Sequence, residues 1–465
     1  MPDPIHGLTA EQLHACYTRG DLSPLEVTET VLQRAEQLDG RLNAFAIIDR
    51  NGALEQAEAA ADRWRRQRPL SKLDGVPVSI KDLVAVKGLP TRSGSRTSNP
   101  DTLAREDCPA VARLREAGAV LFGKTHTPEF GWKGITDSPL HGVTRNPWNL
   151  GRSPGGSSGG AGAAVAAGIG PLAHGTDAGG SIRIPASYCG LFGIKPTFGR
   201  VPHVPNESPY ATLASSGPLA RRVRDAARML TIMARPDARD WYALPYDGVD
   251  YEADLDTGVE GLRIAYSPGL GGARPEPGIA ERVAQAAGRL RDLGAQVEEV
   301  GPILAPLRPV FEAYWKAGFA YLLNSIREDR RALMDEGLRA LAEEGLGVDL
   351  DAYYRAVSAR VRLGSQMEQF HQRFDLLVTP TTPTAAPVAD VVYHSRGFDR
   401  WQHAVPYTVP FNLTGQPAAS LPAGFTADRL PVGLQVVGPR FSEPTILRAC
   451  RALERAAPPG HAPAI

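Results

Sequence analysis

Residues 154–186 read PGGSSGGAGAAVAAGIGPLAHGTDAGGSIRIPA, and this stretch governs how the rest of the chain is read. Each end is a glycine-rich loop carrying a serine, Ser157 and Ser181, 24 positions apart. Between them lies a run of small residues that reads as a helix, then Leu172 and Ala173 flanking His174 as a strand. With no large side chains in the way, the N–H groups around Ala178, Gly179, Gly180 and Ser181 can form a nest that holds a developing oxyanion. Gly155 to Gly159 also fits the G-x-S-x-G elbow of serine hydrolases. Here, however, polar Asn149, Gly151, Arg152, Ser153 and Pro154 precede it where the elbow wants an apolar strand, so the motif by itself reads more readily as a plain flexible turn.

Outward from this centre, helical and strand periods alternate. Thr9 to Gln12 and Ser23 to Glu26, with Pro24 at the first helical position, are capping boxes that open two helices. Strands are expected at Ala44–Ile48, Val76–Ile80 and Ala119–Phe122, and helices at Ala53–Arg65 and Pro109–Ala117. Interleaving of this kind predicts an α/β layered sheet. Beyond Pro236 the pattern is largely helical, over Ala280–Leu293, Phe311–Asn324, Ala352–Phe374 and Glu443–Ala456. Strands remain at Leu262–Tyr266, Leu376–Thr379 and Leu434–Val437. Neither an internal repeat nor a linker divides the chain, which predicts one large domain with an inserted helical part.

Composition narrows the function. The 465 residues carry 51 Lys+Arg against 51 Asp+Glu, without the basic excess of a nucleic-acid binder. The 48 glycines and 40 prolines exceed ordinary usage, and the serine loops account for much of the glycine. The four cysteines, Cys16, Cys108, Cys189 and Cys450, are scattered, which fits a reducing compartment and neither a disulfide framework nor a zinc knuckle. The N-terminus has no secretory pattern, and the least polar run, Ala161 to Ala173, is shorter than the roughly 20 residues that span a bilayer. A soluble, cytoplasmic protein with no membrane partner is expected.

Other motifs fail on context. Gly118 to Thr125 matches GxxxxGK[ST], but a helix precedes Gly118 and the variable positions are apolar, so a helix-to-strand turn is expected in place of a phosphate loop. His126-Thr-Pro-Glu129 resembles the start of a zinc helix that Pro128 would break, and no metal site is expected. A nucleophilic serine needs a base. His174 is one candidate, and Lys81, ending an apolar strand ahead of Asp82, is another: buried, it would hold the neutral amine that accepts protons; exposed, it would be a plain strand terminus.

Taken together, Gly75-Val-Pro-Val-Ser-Ile-Lys81-Asp82, Pro154-Gly-Gly-Ser157-Ser158-Gly-Gly and Gly175-Thr-Asp-Ala-Gly-Gly-Ser181-Ile-Arg-Ile-Pro strongly resemble the amidase signature family. The likeness continues through Gly118 to Trp132, Asn146 to Asn149, Gly190 to Thr197 and Val409 to Pro417. The resemblance implies a single α/β/α layered domain over 1–465 with a central twisted mixed sheet covered by helices. It also implies a catalytic core over 60–215 and a variable, mainly helical substrate-pocket region over 236–400. It assigns Ser181 as nucleophile, Ser157 as a bridging serine after a cis peptide from Gly156, and Lys81 as base, with no cofactor. Ser158, Thr176, Asp177 and Arg183 match loop-supporting positions, and Phe130, Gly131 and Trp132 fall beside the reacting centre.

The expected activity is hydrolysis of a small-molecule amide through a seryl acyl-enzyme, on hydrophobic or aryl amides, with anilides, esters and carbamates open to the same chemistry. A homodimer is compatible with it. Tyr314, Trp315 and Tyr321 would line an apolar cleft or serve as core. A glutaminase subunit of a tRNA-dependent amidotransferase shares the catalytic set. Such subunits carry Ser-Ile-Arg-Gln where Ile184 stands here, and Ser-Leu-Asp-Gln where this chain reads Thr212-Leu-Ala-Ser. An α/β-hydrolase esterase with Ser157 as nucleophile would instead need a histidine and dispense with Lys81. A non-catalytic binding descendant would have no use for the intact Lys/Ser/Ser set.

Overall fold

The computed structural model describes residues 5–204, 209–390, 405–457 and 463–465. The first half forms α1 (Ala10–Arg19), α2 (Pro24–Leu42), β1 (Phe45–Ile48), α3 (Arg50–Arg65), β2 (Pro77–Lys81), α4 (Pro109–Glu116) and β3 (Val120–Thr125). A small hairpin, β4 (Asp137–Ser138) and β5 (Gly142–Val143), leads to α5 (Gly159–Ala166), β6 (Leu172–Asp177), α6 (Arg183–Cys189), β7 (Phe192–Lys195), β8 (Ser215–Ala220) and α7 (Val223–Met233). Then come β9 (Arg263–Tyr266), α8 (Pro277–Asp292), β10 (Gln296–Glu299), α9 (Arg308–Ser325), α10 (Glu336–Gly345) and α11 (Leu350–Phe370). The chain closes with β11 (Leu376–Pro380), α12 (Val409–Leu413), β12 (Ala418–Phe425), β13 (Pro431–Val437) and α13 (Glu443–Ala456).

Eleven strands make one mixed sheet in the order β1-β3-β2-β6-β8-β7-β12-β13-β11-β9-β10. The α/β layering expected from the alternation is therefore present. Helices cover both faces, as the strand periodicity shows: Leu376, Val378 and Val436 pack with α7, α8 and α13, whereas Leu377 and Val437 pack with α9, α10 and α11. Alternate side chains of a strand point to opposite faces, so both faces of this sheet are dry. The 236–400 stretch contributes β9, β10 and β11 to the same sheet besides its helices; its residues 391–400 lie outside the described residues.

Both capping boxes form, with Thr9 and Ser23 accepting from the third helical N–H and Gln12 and Glu26 reaching back. In α2 the buried positions Val27, Val31, Leu32, Ala35, Leu38 and Leu42 follow the helical period. Gly118 to Thr125 is a helix-to-strand turn, with Gly123, Lys124 and Thr125 inside β3. No described helix is long and apolar enough to cross a membrane.

The small residues of α5 have a physical cause. All eight are buried. A Cβ on Gly160 would stand 2.4 Å from the Ala44 carbonyl oxygen and 2.5 Å from the His126 nitrogen, so only glycine permits this approach of helix to backbone. The two serine loops are thus clamped against the C-terminal ends of β2 and β6. These are neighbouring parallel strands, and the carboxyl ends of such strands are where open α/β sheets place their sites.

Candidate functional site

Lys81 ends β2 and is wholly buried. Its Nζ donates to Ser157 Oγ at 2.7 Å and to Thr176 Oγ1 at 2.9 Å. It forms no salt bridge with a carboxylate among the described residues. Burial pushes its ammonium well below the usual lysine range, against an opposing pull from Asp177. Asp82, the next residue, instead takes the cation of Lys124 at 2.7 Å in a buried pair. The residues that imitated a phosphate loop therefore serve to neutralise Asp82 beside the site.

The Gly156–Ser157 peptide is cis, and Ser158 starts α5. Ser158 N–H donates to the Ser181 carbonyl at 3.1 Å, and Ser158 Oγ donates to the Thr176 carbonyl at 3.2 Å, so one serine loop is tied to the other. Ser181 precedes α6 and shares with Ser157 a cavity of about 110 Å³. Its hydroxyl has no hydrogen-bond partner among the described residues and opens on that cavity.

The nest is held by a buried ion pair. Arg183 forks onto Asp177 at 3.0 and 2.9 Å, and its remaining donors reach the Thr408 carbonyl, Gln435 and Asn412. Asn412 Nδ2 returns two bonds to Asp177, both 2.9 Å. Burial alone would raise the Asp177 carboxyl; Arg183 and these hydrogen bonds hold it well below the usual range. Satisfied in this way, the pair repays its desolvation and fixes the loop. The sequence expectation changes at one position: the Gly180 N–H already donates to Asp177 Oδ1 at 2.7 Å. The amides of Ala178, Gly179 and Ser181 keep no protein acceptor among the described residues and stay available to an oxyanion.

Phe130 and Gly131 line the cavity, both with positive φ, 48° and 73°. A Cβ on Gly131 would come within 3.1 Å of Ser157 Oγ. Trp132 does not reach the cavity. It is buried a layer behind, packed against Gly337 of α10 and accepting from Trp315 through its carbonyl. Trp315 and Tyr314 are core residues of the helical layer, and Tyr321 is 62% exposed, so none of the three lines this cavity.

His174 is buried in β6 with neither ring nitrogen bonded, and burial lowers it to about 3. A histidine so placed stays neutral and lacks the carboxylate that would orient it as a base. Sequence reasoning missed His203, Tyr210, Leu83 and Ala214, which also line the cavity. His203 Nδ1 lies 3.1 Å from Ser216 Oγ, and Ser216 is the cross-strand partner of Thr176. The Ser216 hydroxyl thus fixes the orientation of the imidazole at the cavity wall. No signal in the sequence marks this histidine; only the pairing of β6 with β8 brings it here. Among the described residues no group of histidine, cysteine and carboxylate could hold a metal.

A family model described as Amidase matches residues 26–447. An acylamidase of Rhodococcus erythropolis is 37% identical, with 98% of this chain and 96% of that protein covered. A glutamyl-tRNA(Gln) amidotransferase subunit from Roseiflexus castenholzii is 36% identical, covering 97% of this chain and 96% of its own length. Among solved structures, a bacterial aryl acylamidase of the amidase signature enzymes superposes with a TM-score of 0.90 at 30% identity, covering 98% of this chain and 97% of that one.

Proposed function

The chain belongs to the amidase signature family and is an amide-hydrolysing enzyme, and we propose that it works through an acyl-enzyme on Ser181. Neutral Lys81 takes a proton from Ser157 while Ser157 takes one from Ser181, and Ser181 Oγ adds to the amide carbonyl. The negative charge that forms on the carbonyl oxygen is met by the amides of Ala178, Gly179 and Ser181, each worth about 3 kcal/mol where such donors have been removed from enzymes. The proton passes back through Ser157 to the leaving nitrogen, the C–N bond breaks, and water then releases the carboxylate by the same route.

The observation that carries this reading is the 2.7 Å contact between a wholly buried lysine without a carboxylate partner and Ser157. A lysine in an ion pair would be held as the ammonium. One that is buried and meets only neutral oxygens is held as the base. Activity is then expected to rise with pH through the lowered pKa of Lys81, because its deprotonated form is the active one. A kcat/KM profile flat or falling across that range would overturn the assignment.

The cavity favours compact apolar amides. Its walls are Leu83, Val84, Phe130, Tyr210 and Ala214, with the His203 imidazole as a polar group that can hydrogen-bond the substrate. Hydrophobic and aryl amides are the proposed class, and anilides, esters and carbamates present the same carbonyl to Ser181. A panel of matched amides, anilides, carbamates and esters, run on wild type and Ser181→Ala, tests it. A second reading, a glutaminase subunit, draws support from the Roseiflexus relative. Ile184, at the position where the resemblance would put glutamine, points away from it. Release of ammonia from glutamine as the preferred reaction of the purified chain would establish the second reading in place of the first.

A further inference from the structure

Ser157 stands before the N-terminal end of α5, and beyond its other end, about 12 Å away at 1.5 Å per residue, opens a cavity that amide chemistry does not use. Its volume is about 970 Å³. Arg34, Arg221, Arg222, Arg282, Arg289 and His6 line it, and no Asp or Glu does among the described lining residues. These six side chains come from four parts of the fold, the segment before α1, helix α2, the turn between β8 and α7, and helix α8, and all are half-buried.

The accounting of their donors is unusual. Arg34 donates to the Ala167 carbonyl at 2.7 Å, and Arg221 to the carbonyls of Val165, Gly170 and Leu8, so these two close the C-terminal end of α5. Arg282 reaches the Phe425 carbonyl and Gln285. The side chains of Arg222 and Arg289 make no hydrogen bond or ion pair among the described residues. None of the five is paired with a carboxylate, although a guanidinium carries five N–H donors. Burial lowers His6, and the neighbouring charges of Arg34 and Arg221 lower it further, so the cluster is close enough to repel itself. In a chain with 51 Lys+Arg and 51 Asp+Glu, this is a local excess of cationic side chains with no Asp or Glu among the described lining residues, which also include Ala464 and Ile465. One wall is aromatic, with the rings of Trp148 and Phe425 4.9 Å apart.

We propose that this cleft is a second binding site, for a multivalent phosphate-type anion held by the unpartnered forks of Arg222 and Arg289. Arg34, Arg221 and Arg282 supply the surrounding charge. Forked guanidinium donors match the oxygens of a phosphate chain, and a small anion in a cluster of like charges relieves their repulsion. The rings of Trp148 and Phe425, tilted 57° to one another, offer apolar contact to any ring attached to that chain.

Calorimetric titration of the full chain with inorganic pyrophosphate at fixed ionic strength tests the proposal. One site with submillimolar affinity is expected, weakened about 10-fold or more in the R222A/R289A double variant, with melting temperature in the absence of ligand and amide hydrolysis unchanged. If the double variant loses its melting transition, R289A alone is expected to show a smaller weakening of the same sign. ATP run in parallel separates two forms of the site: tighter binding than pyrophosphate places a ring on Trp148 and Phe425, and equal binding assigns the site to the phosphate chain alone. Absence of binding at millimolar pyrophosphate, or equal affinity in wild type and the arginine variants, would overturn it.

Discussion

Residues 153–189 and the helical layer α9–α11 differ in almost every physical respect, although both lie against the same sheet. The first segment is buried at every position. In α11, by contrast, Ala356, Leu363 and Met367 are the buried residues of a 21-residue helix, and Tyr354 and Val361 are 60% and 65% exposed. The serine loops have no freedom left: Asp177 is held by Gly180, Ile182, Arg183 and Asn412 together. Preorganised donors need such rigidity, since a dipole that must turn toward the oxyanion during reaction stabilises it less. The helical layer is anchored by the apolar face that α9, α10 and α11 turn to the sheet and by polar ties such as Asp335 N–H to Glu129 and Lys133 to Asp335 at 3.1 Å. The proposed mechanism thus places the chemistry where packing leaves least choice, and tolerance where helices face water.

Substitutions in the two regions should therefore separate activity from stability. The largest effect is expected from Ser181→Ala and Lys81→Ala, each lowering kcat by about 10⁴ or more, with the melting temperature little changed for Ser181→Ala. A fall below tenfold in steady-state kinetics would remove either residue from the chemistry. Arg183→Ala leaves Asp177 as a buried carboxylate without its cation, an arrangement that costs about 3–5 kcal/mol. Denaturant unfolding should show that loss, and the folded fraction should be inactive because the nest is no longer held. In the helical layer, Phe319→Ala should also cost about 3–5 kcal/mol, since its side chain is fully buried. Its ring packs edge-on against Tyr210 of the cavity wall, 5.6 Å between centroids, so KM should rise while kcat on a small amide falls far less than in Arg183→Ala. Equal kinetic damage from Phe319→Ala and Arg183→Ala would show that the helical layer takes part in the chemistry. The smallest effect belongs to Tyr354→Ala, within about 0.5 kcal/mol in stability and without change in rate.

The same contrast explains what could be read in advance. The caps at Thr9 and Ser23 are local chemistry, and both helices start there. Helix α9 begins at Arg308, three positions before the expected Phe311, because Pro309 sits comfortably in a first turn that apolar periodicity does not register. Helix α11 ends at Phe370, short of the expected Phe374, with His371 bonded into a turn over Phe374. Lys81, Ser157 and Ser181 were legible because the motifs around them resemble the amidase signature family; read from the residues alone, the Ser157 loop passes for a flexible turn and Lys81 for a plain strand terminus. The ties from Thr408, Asn412 and Gln435 to the nest span more than 220 positions, and pairing across that distance leaves no periodic trace. Gly180 shows the converse limit: its type suits a nest, but only the structure reveals that Asp177 has already claimed its N–H.

One measurement decides whether Ser181 or Ser157 attacks. The wild-type protein is treated with a sulfonyl or phosphonyl fluoride, digested, and mapped by mass spectrometry, with the Lys81→Ala variant alongside. A single adduct on Ser181, formed far more slowly in Lys81→Ala, is the expected result. An adduct on Ser157, or labelling at an undiminished rate without Lys81, would contradict the relay from Lys81 through Ser157 to Ser181.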